Sequence, residues 1–119
     1  MKILLVEDIE ILANLFAEMI RFYKPEAQID VALTGKEALE KLKKEKYDVV
    51  FLDIILPDIS GLEILDFINT NCPDTKVIII TAATDNNIIK KINEYHYDEI
   101  LFKPVSRDTF FSVLEKYIA

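Results

Sequence analysis

The sequence predicts an α/β fold of the doubly wound kind: a five-stranded parallel sheet in the order 2-1-3-4-5, a three-layer sandwich with five helices. Three observations predict it. Short apolar runs alternate with longer helical patterns about every 20 to 25 residues, the rhythm of repeated βα units. Ile3-Leu4-Leu5-Val6, Val49-Val50-Phe51-Leu52 and Val77-Ile78-Ile79-Ile80 are apolar without a break, as strands covered on both faces are. Gln28-Ile29-Asp30-Val31 instead alternates polar with apolar, so one face meets water. That makes it an edge and places the first strand inside the second.

Each element has its own signal. Ile3 to Val6 is the first strand. Leu12, Leu15, Phe16, Met19, Ile20 and Tyr23 recur at three and four residues, a stripe that predicts a helix ending before Lys24-Pro25, because proline disfavours helix in the residue before it. After the edge strand, Ile29 to Ala32, Thr34-Gly35-Lys36-Glu37 matches the S/T-x-x-E capping box, in which hydroxyl and carboxylate each satisfy an orphaned backbone N–H. The second helix starts there, and Lys43-Lys44-Glu45-Lys46 reads as its solvated end, with cations near the negative pole. Val49 to Leu52 is the third strand, and Ser60-Gly61-Leu62-Glu63 repeats the capping box for the third helix. Val77 to Ile80 is the fourth strand. Asp85 or Thr84 caps a fourth helix with Ile88, Ile89, Ile92 and Tyr95 inward, ended by His96, a residue type that tolerates left-handed backbone. Ile100 to Phe102 is the fifth strand, and Ser106 caps a fifth helix with Phe110, Val113, Leu114 and Tyr117 inside.

Composition narrows the function classes. A chain of 119 residues suits a single domain over 1–119, burying roughly two thirds of its unfolded surface. With 14 Lys and Arg against 21 Asp and Glu, the net charge of −7 repels phosphate backbones, so no direct nucleic-acid partner is expected. One cysteine, Cys72, and one histidine, His96, can supply neither an internal disulfide nor a Cys/His zinc site, so any metal is held by oxygen. Cys72, in the polar loop Asn71-Cys72-Pro73-Asp74, reads as an incidental thiol. No apolar run reaches the ~18 to 20 residues of a membrane span, and none near the N-terminus suits a signal peptide. A cytoplasmic protein without a membrane partner is expected. Two glycines, Gly35 and Gly61, leave no G-x-G-x-x-G or G-x-x-x-x-G-K-[ST] phosphate loop.

The chemistry gathers at the strand ends. Val6 is followed by Glu7 and Asp8, Leu52 by Asp53, Ile80 by Thr81 and Phe102 by Lys103. In an open parallel sheet these positions share one edge, and ligands bind outside the carboxyl ends where the strand order reverses. Glu7, Asp8 and Asp53 crowded there repel one another unless a cation joins them, and a hard divalent ion, Mg²⁺, meets that need. Lys103 adds an ammonium and Thr81 a hydroxyl, both suited to phosphoryl oxygens. Asp53 is central and can act as a nucleophile. The arrangement supports phosphoryl transfer to Asp53, giving an aspartyl phosphate.

Glu7-Asp8, then Asp53-Ile54-Ile55-Leu56-Pro57-Asp58-Ile59-Ser60-Gly61, then Thr81-Ala82, then Lys103-Pro104 resemble the receiver domain of two-component response regulators, over essentially the whole chain. That resemblance implies a flavodoxin-like fold similar to the chemotaxis receiver, with Asp53 as phospho-acceptor and Glu7, Asp8, Asp53 and the backbone carbonyl of Ile55 as the Mg²⁺ ligands. It also implies Thr81 as switch hydroxyl, Ala82 as the small residue leaving it room, Lys103 as the phosphate-contacting base and a cis Lys103-Pro104 bond. The phosphodonor would be a sensor histidine kinase or phosphotransfer protein, and a downstream protein target would read the state, with room for a homodimer on phosphorylation. The chain would be a stoichiometric acceptor with self-phosphorylation and self-dephosphorylation activity rather than an enzyme, and no output domain in this chain is expected.

Three residues before Lys103, where the family carries Tyr or Phe, stands Ile100, with His96-Tyr97 in the preceding loop. This departure motivates a second reading, a phosphorylation-independent pseudo-receiver that binds partners. A Mg²⁺-dependent phosphatase using Asp53 as nucleophile ranks third, because no general acid for a leaving group is evident.

Overall fold

The computed structural model describes residues 1–119, and its strands and helices alternate strictly. They are β1 (Lys2–Val6), α1 (Glu10–Tyr23), β2 (Gln28–Ala32), α2 (Gly35–Lys44), β3 (Val49–Leu52), α3 (Gly61–Asn71), β4 (Lys76–Thr81), α4 (Asn86–Ile92), β5 (Glu99–Phe102) and α5 (Arg107–Ile118). The sheet is wholly parallel in the order β2-β1-β3-β4-β5. The three unbroken apolar runs are its interior strands, as the sequence predicts.

Strand alternation divides the core in two. Leu4, Val6, Val50, Leu52, Val77 and Ile79 face α2, α3 and α4, whereas Ile3, Leu5, Val49, Phe51, Ile78 and Ile80 face α1 and α5. On the second face Phe110 stacks on Phe16 at 4.8 Å between ring centroids and tilts against Phe51 at 5.6 Å.

Several local expectations need correction. The buried face of α1 is Ala13, Phe16, Ala17 and Ile20, and Leu15 is half exposed. Ala13 and Ala17 share that face with Phe16 and Ile20, which leaves Leu15 on the flank of the helix. Thr34 Oγ1 accepts from Glu37 N–H as the capping box requires, but Ser60 Oγ accepts from Leu62 N–H instead of Glu63, and neither glutamate returns a bond. Asp85 rather than Thr84 caps α4, accepting from Asn87 N–H at 2.7 Å. That helix stops at Ile92, before Tyr95, and no residue has positive φ, so His96 is not a left-handed terminator. The side-chain amide of Asn69 instead donates to the His96 carbonyl and accepts from its N–H. Along the edge strand, Asp30 does not simply face water: it accepts a bond from the buried Tyr47 hydroxyl at 2.6 Å.

Candidate functional site

Backbone ladder bonds hang the strand-end residues in a row. Glu7 N–H donates to Ala32 O at 3.0 Å, Asp53 N–H to Val6 O at 3.0 Å and Lys103 N–H to Thr81 O at 2.9 Å. Each reactive residue is therefore fixed by the last carbonyl of a neighbouring strand. Continued alternation aims Glu7, Asp53 and Lys103 to the α1 and α5 side and Thr81 to the other.

Lys103 Nζ lies 2.6 Å from Glu7 Oε1 and 2.9 Å from Asp53 Oδ2. The remaining carboxylate oxygens are also held: Asp53 Oδ1 accepts from Ile55 N–H at 3.0 Å and Glu7 Oε2 from Ile9 N–H at 3.2 Å. Both acids are nearly inaccessible, Glu7 at 2% and Asp53 at 4% exposure, while Asp8 beside them is open to water. Burial pushes the Glu7 carboxyl above its usual range, and the Lys103 bond and the Ile9 N–H pull against it without overcoming it. An ion pair alone would lower Glu7; its elevation means that lost hydration outweighs the ammonium. Burial draws Lys103 down, yet its bonds to the two carboxylates prevail and leave it raised.

Glu7, Asp8 and Asp53 offer carboxylate oxygens that all lie within 4.8 Å of one another. Three oxygen donors with one residue open to water suit a hard divalent cation that keeps part of its hydration, so the residues fit Mg²⁺. Ile55 sits at the start of the loop after Asp53, with its side chain half exposed. Thr81 is fully buried and makes no bond to Asp53; its Oγ1 accepts from Ala83 N–H at 3.2 Å, leaving Ala82 exposed between them. The Lys103-Pro104 bond is cis.

Two features of the site escape the sequence reading. A Cβ at Gly61 would lie 2.4 Å from the Asp53 carbonyl oxygen and 2.5 Å from Ile54 Cα, so only glycine lets α3 begin against the acceptor strand. Asp58 accepts from Gly35 N–H at 2.8 Å and Lys36 N–H at 2.9 Å, joining the loop after Asp53 to the start of α2. An acid one residue after Pro57 is the signal that was available for it. Beside the acidic cluster, α1 and α5 flank an apolar groove that takes in Leu12, Leu15, Phe22, Phe111 and the stem of Lys103.

Residues 3–115, a span holding all of these positions, match the model of the response regulator receiver domain. The chain belongs to that family. As a receiver domain of two-component systems, it is 37% identical over 120 residues to the aerobic respiration control sensor protein ArcB of Escherichia coli. The match covers 98% of this chain and 15% of that protein, so the chain spans only a small part of this curated relative. The receiver domain also resembles a CheY-like response regulator receiver domain protein from Methanospirillum hungatei, with a TM-score of 0.87 and 26% identity over 98% of this chain and 92% of the other. For the response regulator TrrA of Thermotoga maritima, solved in complex with Mg²⁺ and beryllium fluoride, the TM-score is 0.81 and the identity 32%, over 98% of both chains. No helix of this receiver domain is long and apolar enough to cross a membrane.

Proposed function

We propose that this receiver domain is a phospho-accepting switch: Asp53 takes a phosphoryl group from a histidine kinase or phosphotransfer protein, and the two states differ in affinity for a downstream protein. The observation that carries the reading is the buried Asp53 carboxylate, held by the Lys103 ammonium and the Ile55 N–H, with Glu7 and Asp8 at metal-sharing distance.

Asp53 is oriented before the donor arrives, because both of its oxygens are already bonded. In the transfer, an Oδ–P bond forms, the P–N bond of the donor phosphohistidine breaks, and its electron pair leaves with the imidazole, which takes a proton from water. Lys103 moves from Asp53 Oδ2 toward the phosphoryl oxygens, and Thr81 turns its hydroxyl from the Ala83 N–H to the same group through the space beside Ala82. Glu7, Asp8, Asp53 and the Ile55 carbonyl would hold Mg²⁺, which would supply charge neutralisation for the phosphoryl oxygens. Hydrolysis of the acyl phosphate returns the chain to its first state, so the protein is a stoichiometric acceptor with self-phosphorylation from small donors and self-dephosphorylation. We place it in the cytoplasm, with residues 1–119 forming one receiver domain and self-association of the phosphorylated form as one way the state is read. Family membership and the similarity to segments of both response regulators and sensor kinases support this assignment.

The test is incubation with Mg²⁺ and phosphoramidate followed by mass spectrometry. The expected product carries one phosphoryl group, absent in Asp53→Asn; an unmodified wild-type protein would overturn the reading. Ile100 favours a pseudo-receiver as the second reading, and partner binding identical in wild type and Asp53→Ala would support that instead.

A further inference from the structure

The loop from Asp53 to Gly61 carries the Ile55 N–H that holds Asp53 Oδ1, yet the Ile55 side chain is 49% exposed. Packing does not fix this residue, so its position depends on how the loop is anchored. One anchor is local: Gly61 N–H donates to Ile54 O at 2.8 Å and closes the loop at its base. The other crosses to a different element, through the Asp58 bonds to α2.

Asp58 sends one oxygen to each of the first two N–H groups of α2, Oδ1 to Gly35 and Oδ2 to Lys36. Those donors have no intrahelical partner, and the positive pole of the helix favours an anion there. The helix also has a cap of its own, since Thr34 serves Glu37 N–H and would remain if Asp58 were removed. Close approach is built in: a Cβ at Gly35 would lie 2.3 Å from Ile59 Cγ1 and 3.2 Å from Asp58 Oδ1. Ile59 beside it packs on the core shared by α2 and α3. The Lys36 and Gly35 N–H groups also hold the Asp58 carboxyl below its usual range, so the clamp stays charged at neutral pH.

We infer that Asp58 is a positioning residue for the Asp53 pocket, clamping the loop that carries Ile55 onto the start of α2 and so setting Mg²⁺ affinity and the rate of phosphoryl uptake. The inference rests on the phospho-acceptor reading above for its second consequence only.

The test compares Asp58→Ala, Asp58→Asn and Thr34→Ala. Thr34→Ala weakens the start of α2 while leaving the Asp58 bonds in place, and so controls for loss of helix stability alone. Four quantities are read: melting temperature, Mg²⁺ dissociation constant by calorimetry, phosphoryl uptake from phosphoramidate, and hydrogen exchange of the Ile55 amide without metal. Asp58→Ala and Thr34→Ala should both lower the melting temperature. Asp58→Ala alone should weaken Mg²⁺ binding, by roughly tenfold as for loss of an outer partner of a metal ligand, and speed Ile55 exchange. Asp58→Asn, which keeps one acceptor oxygen for Gly35, should recover part of both. Wild-type Mg²⁺ affinity and Ile55 exchange in Asp58→Ala, or equal losses in Thr34→Ala, would overturn the inference. Failure of the wild type to take a phosphoryl group would instead overturn the acceptor reading, and the metal and exchange measurements would still decide the clamp.

Discussion

Lys103 is the cation on which the buried acids depend, since its ammonium touches both Glu7 and Asp53. Removing one partner of a buried ion pair leaves the other charge uncompensated, a loss on the order of 2 to 3 kcal/mol here because the lysine retains some contact with water. Metal-free Lys103→Met should therefore melt well below wild type at pH 7. The sign of the pH dependence follows from the two shifts. Glu7 is raised, so the fold binds its proton more readily than the unfolded chain does and the cost of its charge fades as pH falls. Lys103 is also raised, so its contribution is full below its unfolded value and is lost only as pH rises through the folded one. The gap between Lys103→Met and wild type should accordingly narrow from pH 7 to pH 5. Calorimetry in a chelator checks this, and a gap that widens toward acid would contradict the pairing.

The junction of β3 with α3 is the element on which the site is most sensitive to shape. At Gly61 the atoms that a methyl group would meet are backbone, the Asp53 carbonyl oxygen and Ile54 Cα, and neither can turn aside. At Gly35 the nearest atoms belong to the Ile59 side chain, which can shift in part. Gly61→Ala should therefore cost about 1 to 3 kcal/mol, as overpacking does, and weaken Mg²⁺ binding with it. Gly35→Ala should cost less; denaturant unfolding and a Mg²⁺ titration check both, and the reverse order would contradict the geometry. This contrast also marks how far the sequence could be read. Unbroken apolar runs located every interior strand, and the polar residues after those three runs and after the edge run Ile100 to Phe102 pointed to Glu7, Asp53, Thr81 and Lys103, because strand period and strand ends are local properties. Leu15, His96 and Asp58 escape that reading because each depends on a distant neighbour: the sheet surface that selects Ala13 and Ala17 over Leu15, the Asn69 amide, and the N–H groups of α2, 22 and 23 residues away in sequence.

Folding the whole molecule creates a charge arrangement that the unfolded chain does not have. Glu7, Asp8 and Asp53 come within 4.8 Å of one another with one ammonium in contact, so three negative charges against one positive leave two unbalanced, the charge of one divalent ion. The chain as a whole, at −7, is acidic and offers no general compensation. An ion that binds only the folded state stabilises it by RT ln(1 + [L]/Kd), about 2.7 kcal/mol at a hundredfold excess over Kd, or a rise in melting temperature of roughly 10 °C for a domain of this size. Screening of an acidic protein by salt would also raise stability, so the comparison must be made against KCl at matched ionic strength. Under that control Mg²⁺ should raise the melting temperature of wild type in a saturable way, and Asp8→Asn, which removes the exposed ligand and leaves the buried pair intact, should abolish most of the rise. Equal shifts in Mg²⁺ and KCl, or a full Mg²⁺ effect in Asp8→Asn, would show that the three carboxylates do not act together as one metal site.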